Sequence, residues 1–197
     1  MSVNSPVSHF EHFIRDAFFD FKLSREAMNC KPSTLEFYDF TAGKWVEWLV
    51  QEGVTNPADL RSAHVRAYLA HLRERDLKAS TLNGHARAIK TFTRFLHAED
   101  YMKDPIRVEM PKIPDTRPLV LTAEQLAKVV DKGCQTPRDL ALIYLLADTG
   151  LRRAEACALK WSRVDLKGGL INVRNGKGGK DRSVMIGVKT RRIFLRY

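Results

Sequence analysis

The sequence predicts a mainly α-helical protein in two parts, a four-helix domain followed by a smaller α+β domain that contains a β-hairpin. Apolar residues recur every three or four positions as far as residue 98, which is the spacing of amphipathic helices. Prolines then punctuate a stretch that cannot hold a helix, at positions 105, 111, 114 and 118. Beyond Trp161 the apolar spacing changes to every second residue, as in a strand. We therefore expect a helical domain at residues 1–103, a linker at 104–120 and a second domain at 121–197.

The four helices of the first domain are each predicted from one apolar face. The first spans Phe10 to Phe21, and the second begins at Pro32 and stops at Gly53. The third runs from about Ser62 to Arg75, and the fourth from about Ser80 to Ala98. Short polar turns between them predict a compact bundle. Aromatic residues of the second helix are assigned to the core and not to ligand stacking, because they share its apolar face: Tyr38, Trp45 and Trp48.

The second domain is predicted to open with a helix at residue 122. Thr122 and Gln125 have the spacing of a capping box, and helical periodicity continues to Gly150. Alternating β-prone runs at 170–174 and 182–186 flank a glycine-rich connection, which predicts a hairpin with a basic tip. Tyr197, the last residue, is interpreted as part of a helix.

The charge of the chain favours an anionic partner. Lys and Arg number 33 against 23 Asp and Glu, a net charge of +10. Such a surplus suits a nucleic acid through counterion release, or an anionic membrane surface. No apolar run approaches the length of about 18 residues that spans a membrane, and the first residues lack the pattern of a signal peptide. We therefore expect a cytoplasmic protein.

A basic stripe is predicted on the fourth helix. Arg87, Lys90 and Arg94 recur at steps of three and four residues, so they share one face opposite the apolar one. Such a stripe could hold phosphates, although a solvated charged face is the common alternative for a single helix. The start of the same helix adds hydrogen-bonding groups suited to phosphates or base edges: Ser80, Thr81 and Asn83.

A second cationic feature lies between the helices of the second domain. Gly150 is expected to end one helix and Arg152 to stand at the junction with the next, where its guanidinium can present a fixed fork to a phosphate. The alternative is a helix C-cap followed by a solvated arginine pair.

Two further kinds of ligand are not indicated. The run 176–180, Gly-Lys-Gly-Gly-Lys, lacks the spacing of a phosphate-binding P-loop, which argues against nucleotide binding. Cys30, Cys134 and Cys157 are far apart and are interpreted as buried thiols, so no metal site and no cofactor are expected.

Together these segments resemble the tyrosine site-specific recombinase family, which includes phage integrases and Xer-type enzymes. The stretch 80–96 is similar to the end of the family's SAM-like core-binding domain, and 104–112 to its usual exit. The run 121–125 is similar to the opening of the catalytic domain. Thr149–Arg152 with Glu155, Leu159 and Trp161 resembles the first arginine box. The run 176–182 resembles the lysine box of the family's β-hairpin.

The resemblance implies double-stranded DNA as partner, homo-oligomers on DNA with a tetrameric synapse for the full-length protein, and chemistry without a metal or ATP. It implies that Arg152 stabilises charge on the phosphorus, and that Lys177 gives a proton to the departing 5′ oxygen. Lys180 competes for that role and is otherwise expected to bind DNA. Glu155 either orients an active-site arginine or is an ordinary i,i+3 partner. Arg153 stands where the family usually has an apolar residue.

The resemblance also implies residues that this sequence does not contain. The family has a later His-x-x-Arg box, a further His or Trp, and a nucleophilic Tyr. All the histidines of this sequence precede the predicted linker: His9, His12, His64, His71, His85 and His97. We therefore expect this chain to bind DNA without cutting it, as part of a recombinase. The alternative is a non-enzymatic DNA-binding protein that occupies or regulates recombination sites.

Overall fold

The computed structural model describes residues 13–115, 118–174 and 181–197, and these form two compact units on either side of residues 116 and 117. The first unit is helical, with α1 (Ile14–Ala27), α2 (Pro32–Tyr38), α3 (Lys44–Gln51), α4 (Ser62–Glu74) and α5 (Ala79–Ala98). A short 3-10 turn lies at Pro57–Asp59.

The four predicted helices of the first unit are present with two differences. The first continues to Ala27, beyond its predicted end at Phe21, because the polar residues after Phe21 still extend the helix on its solvent side. Its predicted start at Phe10 lies outside the described residues. The predicted second helix is α2 and α3 joined without a break through a π-helical turn at Asp39–Gly43. The structure thus keeps the predicted helix order.

Aromatic packing forms the centre of the first core. Phe92 of α5 is fully buried and meets the ring of Phe18 edge-on at 5.4 Å and that of Phe21 at 5.3 Å. Trp45 is also fully buried, 6.4 Å from Phe92 between ring centroids, so its assignment to the core is confirmed. Edge-to-face ring pairs at such distances add to the stabilisation from burial alone. Tyr38 and Trp48 pack against this core from its margin.

Part of the segment expected as linker packs on the first unit. Met102 and Val108 are buried in the first core. The side-chain amide of Asn83 donates a hydrogen bond to the carbonyl of Pro111 at 2.9 Å. The boundaries 103 and 120 stay a prediction, but Met102, Val108 and Pro111 contact the first unit.

The second unit contains α6 (Ala123–Gly133), α7 (Pro137–Thr149), α8 (Arg153–Cys157), β1 (Val164–Asp165), β2 (Leu170–Val173), β3 (Arg182–Met185) and α9 (Val188–Phe194). The capping box of Thr122 and Gln125 is present at the start of α6. The strands form an antiparallel sheet in the order β1-β2-β3, with Val173 opposite Arg182 and Leu170 opposite Met185. The predicted hairpin strands are therefore confirmed, and β1 adds a short third strand.

Two smaller expectations are wrong. Tyr197 lies outside any helix, because α9 ends at Phe194. Among the cysteines, Cys30 and Cys134 are half-buried because they lie just after the ends of α1 and α6, and Cys157 is exposed at the end of α8. Among the described helices none is both long and apolar enough to cross a bilayer.

The second core joins the sheet to α7 and α9. Ile171 of β2 is fully buried, and Leu145, Leu151 and Phe194 are almost so. Beside this core the carboxylate of Asp148 accepts hydrogen bonds from the backbone N–H of Gly187 at 2.6 Å and from the hydroxyl of Thr190 at 2.8 Å. Asp148 thus caps α9 from the last turn of α7.

We expect Phe92→Ala to lower the free energy of unfolding by about 3–5 kcal/mol, because it leaves a cavity beside Phe18, Phe21 and Trp45. Phe19→Ala is the matched control, since Phe19 is 60% exposed on α1 and its loss should change stability by at most about 0.5 kcal/mol. Urea denaturation monitored by circular dichroism measures both variants. Equal losses would contradict this description of the core.

Candidate functional site

The turn between α7 and α8 fixes the backbone position of Arg152. Gly150 adopts a left-handed conformation, with φ of 61°, and its N–H donates to the carbonyl of Leu146 at 3.1 Å. This is the predicted end of the helix, and it is confirmed. Leu151 then turns into the core, and Arg152 has the extended backbone of a residue that precedes a helix. The Arg152 side chain therefore starts from a backbone anchored on both sides.

Glu155 is the centre of the site. One of its oxygens, Oε2, accepts from the backbone N–H of Arg152 at 2.9 Å and from Nη2 of Arg182 at 2.7 Å. The other, Oε1, accepts from Nη1 of Arg152 at 3.1 Å and from Nη1 of Arg182 at 2.8 Å. The Glu155 side chain is only 8% exposed. Glu155 is therefore an i,i+3 partner of Arg152 and also binds the distant Arg182, while its role in orienting an active-site arginine stays a prediction.

The charge state of Glu155 follows from these partners. Hydrogen bonds from the Arg182 guanidinium, then from the Arg152 backbone, lower the pKa of Glu155 to about 2. The same contact raises the pKa of Arg182. The cluster of Arg152, Glu155 and Arg182 therefore carries one net positive charge over the whole neutral range.

Arg152 remains open to a ligand. Its side chain is 58% exposed and only one of its guanidinium N–H groups is engaged with Glu155. Since an arginine has five N–H donors, the others can meet a phosphate in a two-pronged contact. The predicted position of Arg152 at a rigid junction is thus what the structure describes, and its contact with a phosphate stays a prediction.

Arg182 is the site residue to which the sequence assigned no role. It stands in β3 as the partner of Val173, 27 residues after Glu155. In the sequence, Arg182 was noted only as the last residue of the run 176–182, which resembles the lysine box. Arg182 shares the partly buried face of β3 with Val184, while Ser183 between them is exposed, but nothing local in the sequence indicates a carboxylate beside Arg182.

Two predicted site residues, Lys177 and Lys180, lie outside the described residues. Their roles stay predictions. Arg153, which follows Arg152, is exposed in the first turn of α8 and forms no ion pair within the described parts of the chain.

The predicted basic stripe is present on one side of α5. Arg87 and Arg94 are exposed and Lys90 is half-buried, while the opposite face of the helix is buried. The Arg87 guanidinium lies over the ring of Phe37, 6.0 Å from its centroid. Ser80 and Asn83 lie on the same side of α5 as the stripe, but the side-chain nitrogen of Asn83 already donates a hydrogen bond to the carbonyl of Pro111. Thr81 falls roughly 100° or more around the helix from the stripe.

Both units match models of one protein class, the phage integrases. A model described as "Phage integrase, N-terminal SAM-like domain" matches residues 18–103, and one described as "Phage integrase family" matches residues 120–197. The chain therefore belongs to the phage integrase family of tyrosine recombinases.

Curated relatives carry the tyrosine recombinase name. The chain is 35% identical over 156 residues to tyrosine recombinase XerA of Thermococcus kodakarensis, which covers 79% of this chain and 51% of that protein. It is 32% identical over 177 residues to XerC of Xylella fastidiosa, which covers 87% and 59%. The chain thus spans about half the length of the curated relatives it matches.

Solved structures with the same fold are integrases. A lambda integrase tetramer bound to a Holliday junction matches with a TM-score of 0.72 at 18% identity, covering 93% of this chain and 52% of that one. A Tn1549 transposon integrase in complex with a circular intermediate DNA matches with a TM-score of 0.70 at 18% identity, covering 94% and 64%. The predicted fold class, a SAM-like helical domain followed by an α+β start of a recombinase catalytic domain, is confirmed.

We expect Gly150→Ala to lower the free energy of unfolding by about 1 kcal/mol, because an L-residue is strained at a φ of 61°. A Cβ at Gly150 would meet nothing within 4 Å, so the cost is conformational. Gly133→Ala is the control, since Gly133 ends α6 with ordinary helical geometry and should be neutral or stabilising. Thermal denaturation of both variants checks this, and an equal effect would contradict it.

We expect acid to remove the stabilisation that Glu155 provides. Because its pKa falls from 4.5 to about 2 on folding, this stabilisation is complete above about pH 4.5 and is lost as the pH falls through about 2. The difference in stability between the chain and Glu155→Gln should therefore shrink between pH 5 and pH 2, measured by urea denaturation at each pH. Glu124→Gln, at an exposed position of α6, is the control. A difference that is constant with pH would show that the ion pair does not act in solution.

Proposed function

We propose that this chain is the DNA-binding front portion of a site-specific tyrosine recombinase, and that it binds duplex DNA by its phosphates. The observation that carries the proposal is the exposed guanidinium of Arg152, anchored by Glu155 within a cluster of net positive charge. Membership of the phage integrase family supports the same function, as do solved relatives whose names include bound DNA.

In the complete protein the reaction would be an attack by a tyrosine hydroxyl on a DNA phosphodiester. The products are a 3′-phosphotyrosyl bond and a free 5′ hydroxyl, which then attacks the partner duplex. Negative charge gathers on the phosphoryl oxygens in the transition state, and Arg152 is placed to stabilise it. Lys177 would give the departing 5′ oxygen its proton, with Lys180 as the competitor for this role. No metal and no nucleotide enters this chemistry.

The first unit would supply most of the affinity. Arg87, Lys90 and Arg94 lie on one side of α5, and each phosphate they neutralise releases a counterion. Ser80 and the oxygen of the Asn83 amide lie on the side of the stripe and would add polar contacts there, whereas Thr81 would have to contact another part of the duplex. Such contacts position the protein on the duplex without selecting its sequence.

Recombination by the full-length protein would need several copies on DNA. We therefore propose that it forms a homo-oligomer there, with four protomers in the synapse, as the lambda integrase structure is named a tetramer on a Holliday junction.

A different function is favoured by the distribution of histidines, none of which lies in the second unit. A protein that lacked the later His-x-x-Arg box would occupy recombination sites without cutting them. The reading frame beyond the codon for Tyr197 distinguishes the two, since a frame with that box and a tyrosine favours the recombinase.

We expect Arg87→Ala/Lys90→Ala to weaken binding to all duplex sequences. The slope of log affinity against log salt should fall by roughly 0.9 for each phosphate contact that is lost. Fluorescence anisotropy with two unrelated labelled duplexes at several salt concentrations measures both quantities. Lys128→Ala/Lys132→Ala removes the same charge from α6 and is the matched control. Equal slopes for the two variants would mean that the stripe is only solvated.

We expect no covalent adduct when this chain is incubated with nicked suicide duplexes that trap phosphotyrosyl intermediates. The reason is that the sequence has a fixed arginine but no His-x-x-Arg box after it. Denaturing gel electrophoresis with labelled DNA detects an adduct. A labelled band that resists detergent and is removed by protease would overturn the claim that the chain only binds.

A further inference from the structure

Two guanidinium groups share the carboxylate of Glu155, and they share it unequally. Arg182 donates to both oxygens, at 2.8 and 2.7 Å, whereas the Arg152 side chain donates once, at 3.1 Å. A fork of two short parallel bonds is the strongest geometry of an arginine with a carboxylate. The carboxylate is therefore bound mainly by Arg182.

This unequal sharing determines how much of Arg152 is left for a ligand. If Arg182 were absent, the Glu155 carboxylate would be free to rotate and pair with Arg152 by both oxygens. The pair would then be neutral, and two of the N–H groups of Arg152 would face the carboxylate. With Arg182 present, the cluster keeps a net positive charge, and within the described residues Glu155 engages only one of the five side-chain donors of Arg152.

Arg182 itself is less suited to meet a phosphate. Its two terminal nitrogens both donate to Glu155, and its side chain is 36% exposed against 58% for Arg152. The more exposed arginine is thus the one with more free donors.

We propose that Arg182 is a positioning residue, which binds both oxygens of Glu155 and so leaves the positive charge and the remaining donors of Arg152 available to a DNA phosphate. This inference rests on the proposed function, because it names the residue that prepares the same arginine. Arg182 acts through Glu155 and does not contact the DNA. Its effect must therefore disappear when Glu155 has lost its charge.

A double-mutant cycle in DNA binding tests this dependence. We expect Arg182→Ala to weaken duplex binding on the order of tenfold in the native background, and to have less than about a twofold effect in the Glu155→Gln background. Arg192→Ala is the charge-matched control, since Arg192 is an exposed arginine of the same unit that does not bind Glu155. Circular dichroism melting of each variant confirms that it is folded at the temperature of the assay.

Three outcomes of the cycle would overturn the inference. Equal losses in both backgrounds would mean that Arg182 contacts DNA directly. An equal loss from Arg192→Ala would mean that only net charge matters. No loss from Arg182→Ala, together with a loss from Arg152→Ala, would refute the role of Arg182 and leave the proposed function standing.

A measurement without DNA separates the inference from the proposed function. The side-chain ¹⁵N resonances of Arg152 should move in Arg182→Ala, since Glu155 then pairs with Arg152 by both oxygens. They should not respond to Arg182→Ala once Glu155→Gln is present. If the Arg152 resonances do not change in Arg182→Ala in the native background, the inference is refuted even if the chain binds DNA. If the native chain fails to bind any duplex, the proposed function fails, while these spectra still decide whether Arg182 acts on Arg152.

Discussion

The second unit depends on a carboxylate that cannot be left unpaired. Glu155 is almost buried, and an ionised group removed from water is costly unless opposite charge and hydrogen bonds surround it. Four donors from Arg152 and Arg182 satisfy its two oxygens. Because Arg152 lies before α8 and Arg182 in β3, satisfying one carboxylate also fixes the helix against the sheet. The hydrogen bonds that satisfy Glu155 therefore also place Arg152, the arginine that we propose meets a phosphate.

A second carboxylate, that of Asp148, forms anchoring hydrogen bonds at the other end of β3. Asp148 binds the backbone of Gly187 and the hydroxyl of Thr190, just beyond the strand, while Glu155 binds Arg182 at its first residue. The two acids lie on either side of the turn at Gly150. The turn therefore sets the spacing of two anchors that hold both ends of one strand, and the left-handed backbone at Gly150, which a glycine adopts without strain, influences the sheet as well as Arg152.

Local patterns in the sequence predicted the elements better than the contacts between them. Helical periodicity, the Thr122–Gln125 capping box and the two strands of the hairpin are all encoded within a few residues, and each is present in the described part of the chain. The position of Arg152 at the junction of two helices could be predicted because a glycine and the start of a helix define it within a few residues. The role of Arg182 was missed because its partner is 27 residues away, and only the fold brings them together. The short strand β1 was missed for a similar reason, since two residues carry no alternation that a pattern can show.

The two units hold their cations in physically different ways, which argues for different tasks. Within the described residues Arg87, Lys90 and Arg94 form no salt bridge, so each must lose side-chain freedom when it meets a phosphate. Such contacts sum to affinity and are weakened by salt. Arg152 has much of that freedom removed in advance by Glu155. Preorganised charge matters most where a transition state demands exact placement and little where a ground state only needs to be held. This difference supports the proposal that the stripe binds the phosphates of the duplex, and that the Arg152 cluster meets the one phosphate at which the proposed reaction takes place.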